Sequence, residues 1–287
     1  MKIWDKSKNE YYEEIEYGKR KLEFLYNTII GRLLLKIIFS SRWFSRLQAL
    51  YQKSSISKYK IKKFIDRYKI DMKRYKNVSE YKNFSDFFTR KRNIINNSNS
   101  NELVSVSDSK VQVFIINSNL MLNIKNSMYS VKELIDDDKI VEEYKDGICI
   151  VYRLSVDDYH RYMYLDDGTL TNYKKIKGKL HTIRPISYKY NSFVKNTREV
   201  SIMNTNNFGK VIQIEIGAML VGKIVNNYNK EFKKLEEKGF FDYGGSTIVQ
   251  LFKKNVIKID EEIIENSKND IETRVEIGMK IGEKIYD

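Results

Sequence analysis

The residue types at 244–247 are those that a polypeptide needs in order to cleave its own backbone. Gly244 and Gly245 precede Ser246 and Thr247, and an apolar run follows them. Glycine permits backbone conformations that are closed to other residues, so a strained carbonyl at Gly245 could be offered to the hydroxyl of Ser246. Attack on that carbonyl would shift the acyl group from nitrogen to oxygen. On the residue pattern alone, however, an ordinary turn into a strand is the commoner interpretation.

A proton acceptor for such a reaction could come from one of only two histidines, His160 and His181. His160 lies in the sequence DYHR, two residues after Asp158. That carboxylate could hold the imidazole in one tautomer, although a solvated surface carboxylate is a nearly equal alternative. With two histidines, the single Cys149 and no ligand cluster, the sequence predicts no metal site.

The elements that must position these residues are predicted by hydrophobic patterning. Short β-branched segments, separated by turn signals at 146–147 and 167–168, predict strands at 111–116, 148–154, 211–216 and 219–225. Short helices are expected at 131–135 and near 260–267. The predicted fold class is therefore α+β, with N-terminal amphipathic helices followed by a β-rich catalytic domain.

The N-terminal third has a helical pattern of apolar residues between 19 and 51. Basic residues interrupt every window that is long enough to span a bilayer, so we expect a helix lying in the membrane interface, with Trp43 at the boundary. A core-facing helix with a solvated basic face is an equal alternative on this pattern. A second basic helix is expected at 57–69, and the polar stretch 93–101 is expected to be a linker.

Charge divides the chain at the same place. Residues 1–92 hold 24 Lys and Arg against 10 Asp and Glu, whereas the remainder holds 28 of each. This asymmetry favours an anionic partner, either a phospholipid surface or nucleic acid. No nucleic-acid recognition motif accompanies the charge, so we expect an anionic membrane surface and no nucleic acid. We predict a membrane-docking region at 1–92 and a catalytic domain at 93–287.

The location is expected to be the cytoplasmic face of the membrane, in peripheral association. The lone cysteine fits a reducing compartment, and the first residues lack the apolar core of a secretory signal.

Eight segments, taken in order, resemble the motifs of phosphatidylserine decarboxylases of the short, clostridial GGST type. These are FSDFFTRKR at 84–92, LVSVSDSKV at 103–111, DYHRYMYLDDG at 158–168, GKLHTIRP at 178–185, NTRE at 196–199, NFGKVIQIEIGAMLVGKI at 207–224, EKGFFDYGGSTIVQLF at 237–252 and ETRVEIGMKIG at 272–282. The resemblance extends over nearly the whole chain.

The resemblance implies a proenzyme in which Ser246 attacks the Gly245 carbonyl and becomes a covalent pyruvoyl cofactor. Two associated chains, 1–245 and 246–287, would result. The pyruvoyl group would accept the headgroup amine of phosphatidylserine and act as an electron sink, so that loss of carbon dioxide gives phosphatidylethanolamine.

The resemblance also assigns an Asp-His relay that activates the serine, with Asp108 as its carboxylate. The relay histidine of the family corresponds to Met163, whose thioether cannot accept a proton. His160 is implied to lie at the active site and to handle protons during decarboxylation, while His181 is expected to be structural. The alternative hypothesis is an uncleaved, catalytically impaired relative that binds anionic lipid.

Overall fold

The computed structural model describes residues 1–14, 19–39, 42–124, 127–182, 186–187, 192–218, 223–244 and 246–286. Within these ranges the chain forms a mixed α+β structure in which strands dominate after residue 100, which confirms the predicted fold class.

The N-terminal third begins with a hairpin and continues as short helices. The hairpin strands are β1 (Lys2–Asp5) and β2 (Glu10–Glu13). The helices are α1 (Lys19–Asn27), α2 (Ile29–Leu34) with a π-helical continuation at Leu35–Phe39, α3 (Arg42–Lys53), a 3₁₀ turn at Ser55–Tyr59, α4 (Lys60–Tyr68), a second 3₁₀ turn at Val78–Glu80 and α5 (Phe84–Phe88).

Two features of this region differ from the sequence-based expectation. Residues 2–13 form strands instead of helix, and β1 pairs in parallel with a C-terminal strand. The helix expected at 19–51 is interrupted after Asn27, because Thr28 adopts an extended conformation and its hydroxyl caps the next helix at the Gly31 amide. The second basic helix is confirmed as α4. The division at residue 92 remains a prediction.

The rest of the chain contributes sixteen described strands and four helices. The strands are β3 (Glu102–Val104), β4 (Ser109–Ile115), β5 (Met121–Ile124), β6 (Ser127–Ser130), β7 (Ile148–Leu154), β8 (Arg161–Met163), β9 (Gly168–Ile176), β10 (Arg198–Thr205), β11 (Gly209–Gly217), β12 (Lys223–Asn226), β13 (Glu231–Phe232), β14 (Glu237–Asp242), β15 (Ser246–Phe252), β16 (Ile257–Ile259), β17 (Glu272–Val275) and β18 (Lys280–Lys284). The helices are α6 (Val131–Ile135), α7 (Asp138–Val141), α8 (Ser192–Lys195) and α9 (Glu261–Lys268).

Most of the β-rich predictions are confirmed. The strands expected at 111–116, 148–154 and 211–216 are β4, β7 and β11, and the two short helices are α6 and α9. The strand expected at 219–225 is confirmed from residue 223, since 219–222 lie outside the described residues. Residues 93–99 form no helix or strand, as expected of a linker.

One ten-stranded sheet, ordered β13-β9-β10-β11-β15-β7-β4-β17-β1-β2, organises the molecule. A small sheet, β12-β14-β8, contains the strand that precedes the candidate cleavage site, and a third sheet, β16-β18-β3, contains the last described strand. The paired strands are antiparallel except for β1 with β17.

The strand that begins at Ser246 lies in the middle of the large sheet and is buried along its whole length. Its alternating side chains enter two separate apolar clusters, with Ile248 and Phe252 in one and Val249 and Leu251 in the other. Burial on both faces explains why this segment reads as a continuous apolar run in the sequence.

Candidate active site

Ser246 is the first residue of β15, where it lies opposite Gly217 of β11 and Leu154 of β7. Its side chain is buried, and its Oγ has no hydrogen-bond partner among the described residues. A buried hydroxyl without a partner is unfavourable by about 1–3 kcal/mol, so such groups call for an explanation. Retention of the hydroxyl for chemistry provides one.

The turn before Ser246 carries the chain from the small sheet to the large sheet within three residues. Tyr243 and Gly244 both have positive φ angles, 57° and 109°, and only the glycine accepts such a conformation readily. Gly245, whose carbonyl is the expected point of attack, lies outside the described residues. Backbone strain at Tyr243 and Gly244 therefore supports the expected strain at the Gly245 carbonyl.

Helix α5 holds this turn in place. The Tyr243 ring packs against Phe84 and Phe88, with ring centroids 5.6 and 5.1 Å apart. The Ser85 hydroxyl donates a 2.8 Å hydrogen bond to Asp242, at the end of β14. The aromatic segment of the first sequence motif thus acts as a support for the turn that precedes Ser246.

His160 lies beside the same turn, and its ring is buried 4.3 Å from that of Phe88. Its Nδ1 is 2.9 Å from the carbonyl oxygen of Asp158. A carbonyl can only accept, so Nδ1 carries the proton and Nε2 keeps its lone pair. Nε2 has no hydrogen-bond partner among the described residues, although the backbone of Gly244 is near enough to affect the ring.

Burial and the positive charges of Arg90 and Lys110 lower the pKa of His160 to about 3, while the hydrogen bond to the Asp158 carbonyl and the nearby Gly244 backbone oppose that shift. The imidazole is therefore neutral at physiological pH. The structure brings together a buried hydroxyl and an imidazole beside one strained turn, each with an unsatisfied polar atom.

The Asp158 carboxylate does not contact the imidazole. It accepts two hydrogen bonds from Lys110 Nζ, at 2.9 and 2.7 Å, and one from the Ser155 amide. Burial raises the pKa of Asp158 to about 6, while Lys110 opposes that shift. The tautomer of His160 is thus held by the Asp158 main chain and not by the carboxylate that the sequence suggested.

Asp108 is occupied by a different partner. Arg92 forms a bidentate ion pair with it through two 2.7 Å hydrogen bonds, and the Ile277 amide donates a third of 2.9 Å. Burial acts against the charge of Arg92, but Asp108 holds the pKa of the guanidinium above its usual value. No hydrogen bond joins Asp108 to His160 among the described residues.

Met163 occupies an apolar cluster with Val104, Tyr159 and Leu235, and its side chain is buried there. The Tyr159 ring lies 4.5 Å below the Arg92 guanidinium, so this cluster borders the Arg92–Asp108 ion pair. His160 and Met163 therefore face different surroundings, and only the histidine lies beside the turn at 243–244.

His181 is buried, its Nδ1 lies 3.3 Å from the Tyr26 hydroxyl, and Asn196 hydrogen-bonds both its main chain and Gly217, the strand partner of Ser246. The described residues contain no group of three His, Cys, Asp or Glu side chains that could hold a metal ion.

The sequence did not predict a buried ion pair between Glu215 and Lys238, whose Nζ and Oε1 are 2.8 Å apart. Asn226 bridges this pair and also hydrogen-bonds Glu199. Glu215 lies two residues from Gly217, the partner of Ser246, so alternation places it on the same face of β11. Glu215, a charged residue among the isoleucines of β11, was the signal available in the sequence.

Comparisons with known proteins identify the family. The sequence profile of the family described as phosphatidylserine decarboxylase matches residues 81–283. The chain belongs to the phosphatidylserine decarboxylase family. The match confirms the resemblance inferred from the eight motifs, and it extends from the helix that supports the turn to the last strand.

Three relatives from this family match almost end to end. Phosphatidylserine decarboxylase proenzyme 2 of Clostridium acetobutylicum is 52% identical over 285 residues, covering 98% of each chain. The phosphatidylserine decarboxylase proenzymes of Clostridium perfringens and Clostridium tetani are 42% and 41% identical, each over 99% of this chain and at least 98% of their own length.

Proposed function

We propose that this protein is a carboxy-lyase that converts phosphatidylserine to phosphatidylethanolamine. It would do so with a pyruvoyl group made from Ser246, after self-cleavage between Gly245 and Ser246. The observation that carries this proposal is the buried Ser246 hydroxyl, which has no hydrogen-bond partner among the described residues and directly follows a turn with positive φ angles. Membership of the family supplies the reaction.

Self-cleavage begins when Ser246 Oγ adds to the carbonyl carbon of Gly245. The carbon–nitrogen bond breaks, the amide nitrogen takes a proton, and an ester links the two segments. Loss of the Ser246 α-proton then expels the Gly245 carboxylate and leaves a dehydroalanine, which water hydrolyses to the ketone with release of ammonia. The new carbonyl group would serve as the electron sink for decarboxylation.

His160 is the residue that we propose as the proton acceptor for Ser246. Its neutral Nε2 has a free lone pair, and its ring lies beside the turn that carries the reacting bond. A buried imidazole with a lowered pKa is a weak base. Because each molecule matures only once, a slow proton transfer is sufficient.

Asp108 and Asp158 are proposed to act as positioning groups. The Asp158 carbonyl fixes the tautomer of His160, and its carboxylate holds Lys110. Asp108 anchors Arg92, whose amide donates to the Tyr159 hydroxyl next to His160 in the chain. In this scheme Met163 replaces the family's relay histidine, and His160 serves as the base for the Ser246 hydroxyl instead.

We also infer that the protein acts peripherally at the cytoplasmic face of the membrane. Helices α2 and α3 expose several large apolar side chains, among them Ile29, Ile30, Leu33, Trp43, Leu47 and Leu50. Exposed Arg32, Lys36 and Arg46 lie among them. An apolar surface with interspersed basic residues fits the interface of an anionic bilayer. None of the described helices is long and apolar enough to cross a membrane.

A denaturing gel of the purified protein, followed by carbonyl labelling, tests the proposal. The wild-type chain should separate into fragments 1–245 and 246–287, and hydroxylamine should modify the shorter one at its first residue. The variant Ser246→Ala should stay intact and unlabelled. A wild-type chain that remains full length with an ordinary serine at 246 would contradict the proposal and favour the uncleaved lipid-binding relative.

A further inference from the structure

Arg90, just after α5, is a buried cation without an anionic partner. It is 4% exposed, its Nε is buried without a hydrogen-bond partner, and its guanidinium forms no ion pair with any residue that the structure describes. The rings of Tyr75 and Phe87 lie 4.8 and 5.1 Å from it. Such cation–π contacts stabilise a cation only modestly compared with its loss of hydration on burial.

The other buried arginines of the same region are all compensated. Arg92 pairs with Asp108, Arg153 with Glu14 and Glu272, and Arg161 with Glu237. An unpaired buried charge is strongly unfavourable, so Arg90 is expected to gain an anionic partner when the protein binds a ligand.

Arg90 lines a cavity of about 250 Å³ in which most carboxylates already have cationic partners. Asp108 is paired with Arg92, Asp158 with Lys110 and Glu276 with Arg74. Two further carboxylates line the cavity: Asp71 accepts a hydrogen bond from the Lys73 amide, and Asp157 acts electrostatically on Lys110. An anion that enters the cavity would therefore meet Arg90 as a cation that no side chain has neutralised.

The cavity lies close to the reacting groups through helix α5. Phe87 contacts the Arg90 guanidinium, and the next residue, Phe88, contacts both His160 and Tyr243. The charge of Arg90 also reaches His160, since it contributes to the low pKa of that imidazole. Arg90 and the turn that precedes Ser246 thus contact adjacent residues of helix α5.

We propose that Arg90 binds the phosphodiester of the glycerophosphoserine headgroup in this cavity. The inference rests on the proposed function and adds a headgroup-binding residue to it. The headgroup also carries a carboxylate, but a cation paired with that group would stabilise the ground state more than a transition state in which its charge is leaving. The phosphodiester keeps its charge throughout, so it is the anion that Arg90 can hold without opposing the reaction.

Binding of soluble headgroups to the uncleavable Ser246→Ala chain tests this assignment. Glycerophosphoethanolamine carries the phosphodiester without the carboxylate, whereas free serine carries the carboxylate without phosphate. By calorimetry, Arg90→Gln in this background should weaken glycerophosphoethanolamine binding by about tenfold or more, because a charge-assisted contact is lost. Arg90→Lys should weaken it less.

The matched control is Arg74→Gln, which removes a positive charge from the same cavity at an exposed position already paired with Glu276. It should change binding by less than about threefold if contact with the guanidinium matters more than general electrostatics. Unchanged glycerophosphoethanolamine binding by Arg90→Gln, or a selective loss of serine binding, would overturn the assignment.

Thermal unfolding separates this role from a structural one. Arg90→Gln should not lower the melting temperature, because it removes an uncompensated buried charge. Glycerophosphoethanolamine should raise the melting temperature of the Ser246→Ala parent, and serine should not. If Arg90→Gln fails to fold, the affinity of Arg90→Lys for glycerophosphoethanolamine and the ligand-induced rise in melting temperature still test whether Arg90 binds the phosphodiester. These measurements do not depend on self-cleavage. A chain that never matures would therefore contradict the proposed function but not the assignment of Arg90.

Discussion

One peptide carbonyl decides which nitrogen of His160 is available for chemistry. The Asp158 oxygen accepts a hydrogen bond from Nδ1–H, which leaves the buried Nε2 lone pair without a partner among the described residues. At the residue scale this arrangement performs the orienting task that a carboxylate performs in an Asp-His relay. A main-chain acceptor fixes the tautomer but adds no negative charge to stabilise an imidazolium.

Replacement of His160 by Gln should slow self-cleavage by on the order of a thousandfold, as loss of a triad member does. The reason is that glutamine keeps a similar polarity but cannot accept the Ser246 proton. The fraction of cleaved chain, followed over time on denaturing gels, measures the effect. His181→Gln changes the other histidine of the chain and should mature at the wild-type rate.

Restoring the family residue gives a complementary result. Met163→His should leave the maturation rate within about threefold of wild type, since Met163 lies in the cluster beside Arg92 and not at the turn. A large acceleration would show that His160 does not serve as the base.

The buried histidine also predicts how stability varies with pH. The pKa of His160 is lowered in the folded state from 6.5 to about 3, so the unfolded chain binds more protons between these values. The contribution of His160 to the free energy of unfolding should therefore rise with pH across this window, opposite in sign to that of Asp158, whose pKa is raised by burial. Between pH 5 and pH 7 the contribution of His160 is about 2 kcal/mol.

Urea denaturation at both pH values measures this contribution. His160→Gln should reduce the pH dependence by a comparable amount. A variant with the same pH dependence as wild type would show that the imidazole is not held neutral in the folded protein.

At the scale of the elements, the helices and strands that the sequence predicted are those whose residue pattern is local in the chain. Helix α4 and strands β7 and β11 follow from the spacing of apolar residues along a few turns or a few pairs. The N-terminal hairpin was missed because its strands are short and charged, and because β1 gains its pairing from β17, at the other end of the chain. No local pattern encodes that contact.

The site shows the same limit. Motif resemblance was sufficient to propose Ser246, Asp108 and His160 as site residues, and that assignment stays a prediction. It could not show that Asp108 is paired with Arg92 or that Asp158 holds Lys110, because the sequence does not state which charges meet. The unpaired state of Arg90 is likewise a property of three-dimensional packing.

The exposed surface of α3 gives a prediction at this scale. The double change Leu47→Ser and Leu50→Ser should weaken binding to phosphatidylserine-containing vesicles by about tenfold or more, because two apolar side chains would no longer enter the bilayer. Both are exposed, at 55% and 67%, so folding should be unaffected. Vesicle flotation measures the change.

Ile115→Ser is the matched control. This isoleucine, at the end of β4, is 64% exposed but belongs to the large sheet. Loss of vesicle binding in the control, or its retention in the double variant, would contradict a docking role for α3.

At the scale of the whole molecule, the candidate cleavage site lies at the start of β15, which is hydrogen-bonded to a neighbouring strand on each side. β15 pairs with β11 and β7, and β17 pairs with β4 and β1. Every one of these partners belongs to the segment before residue 245. Cleavage would therefore cut the chain without opening the sheet.

The two product chains should accordingly remain one particle. Size-exclusion chromatography in native buffer should give a single peak that contains both fragments, and only denaturant should separate them. A released fragment 246–287 under native conditions would show that the sheet does not survive cleavage, and a shortened chain without that fragment would lose the cofactor.

The position of β15 and β17 in the sheet also bears on how the protein is made. A ribosome releases β1, β4, β7 and β11 well before the two strands that fit between them, so the nascent chain carries two gaps with unpaired edges. The final stretch of translation fills both gaps. The proposed self-cleavage would therefore be delayed until late in synthesis. The Ser246 hydroxyl reaches its buried position only when nearly the entire polypeptide has emerged.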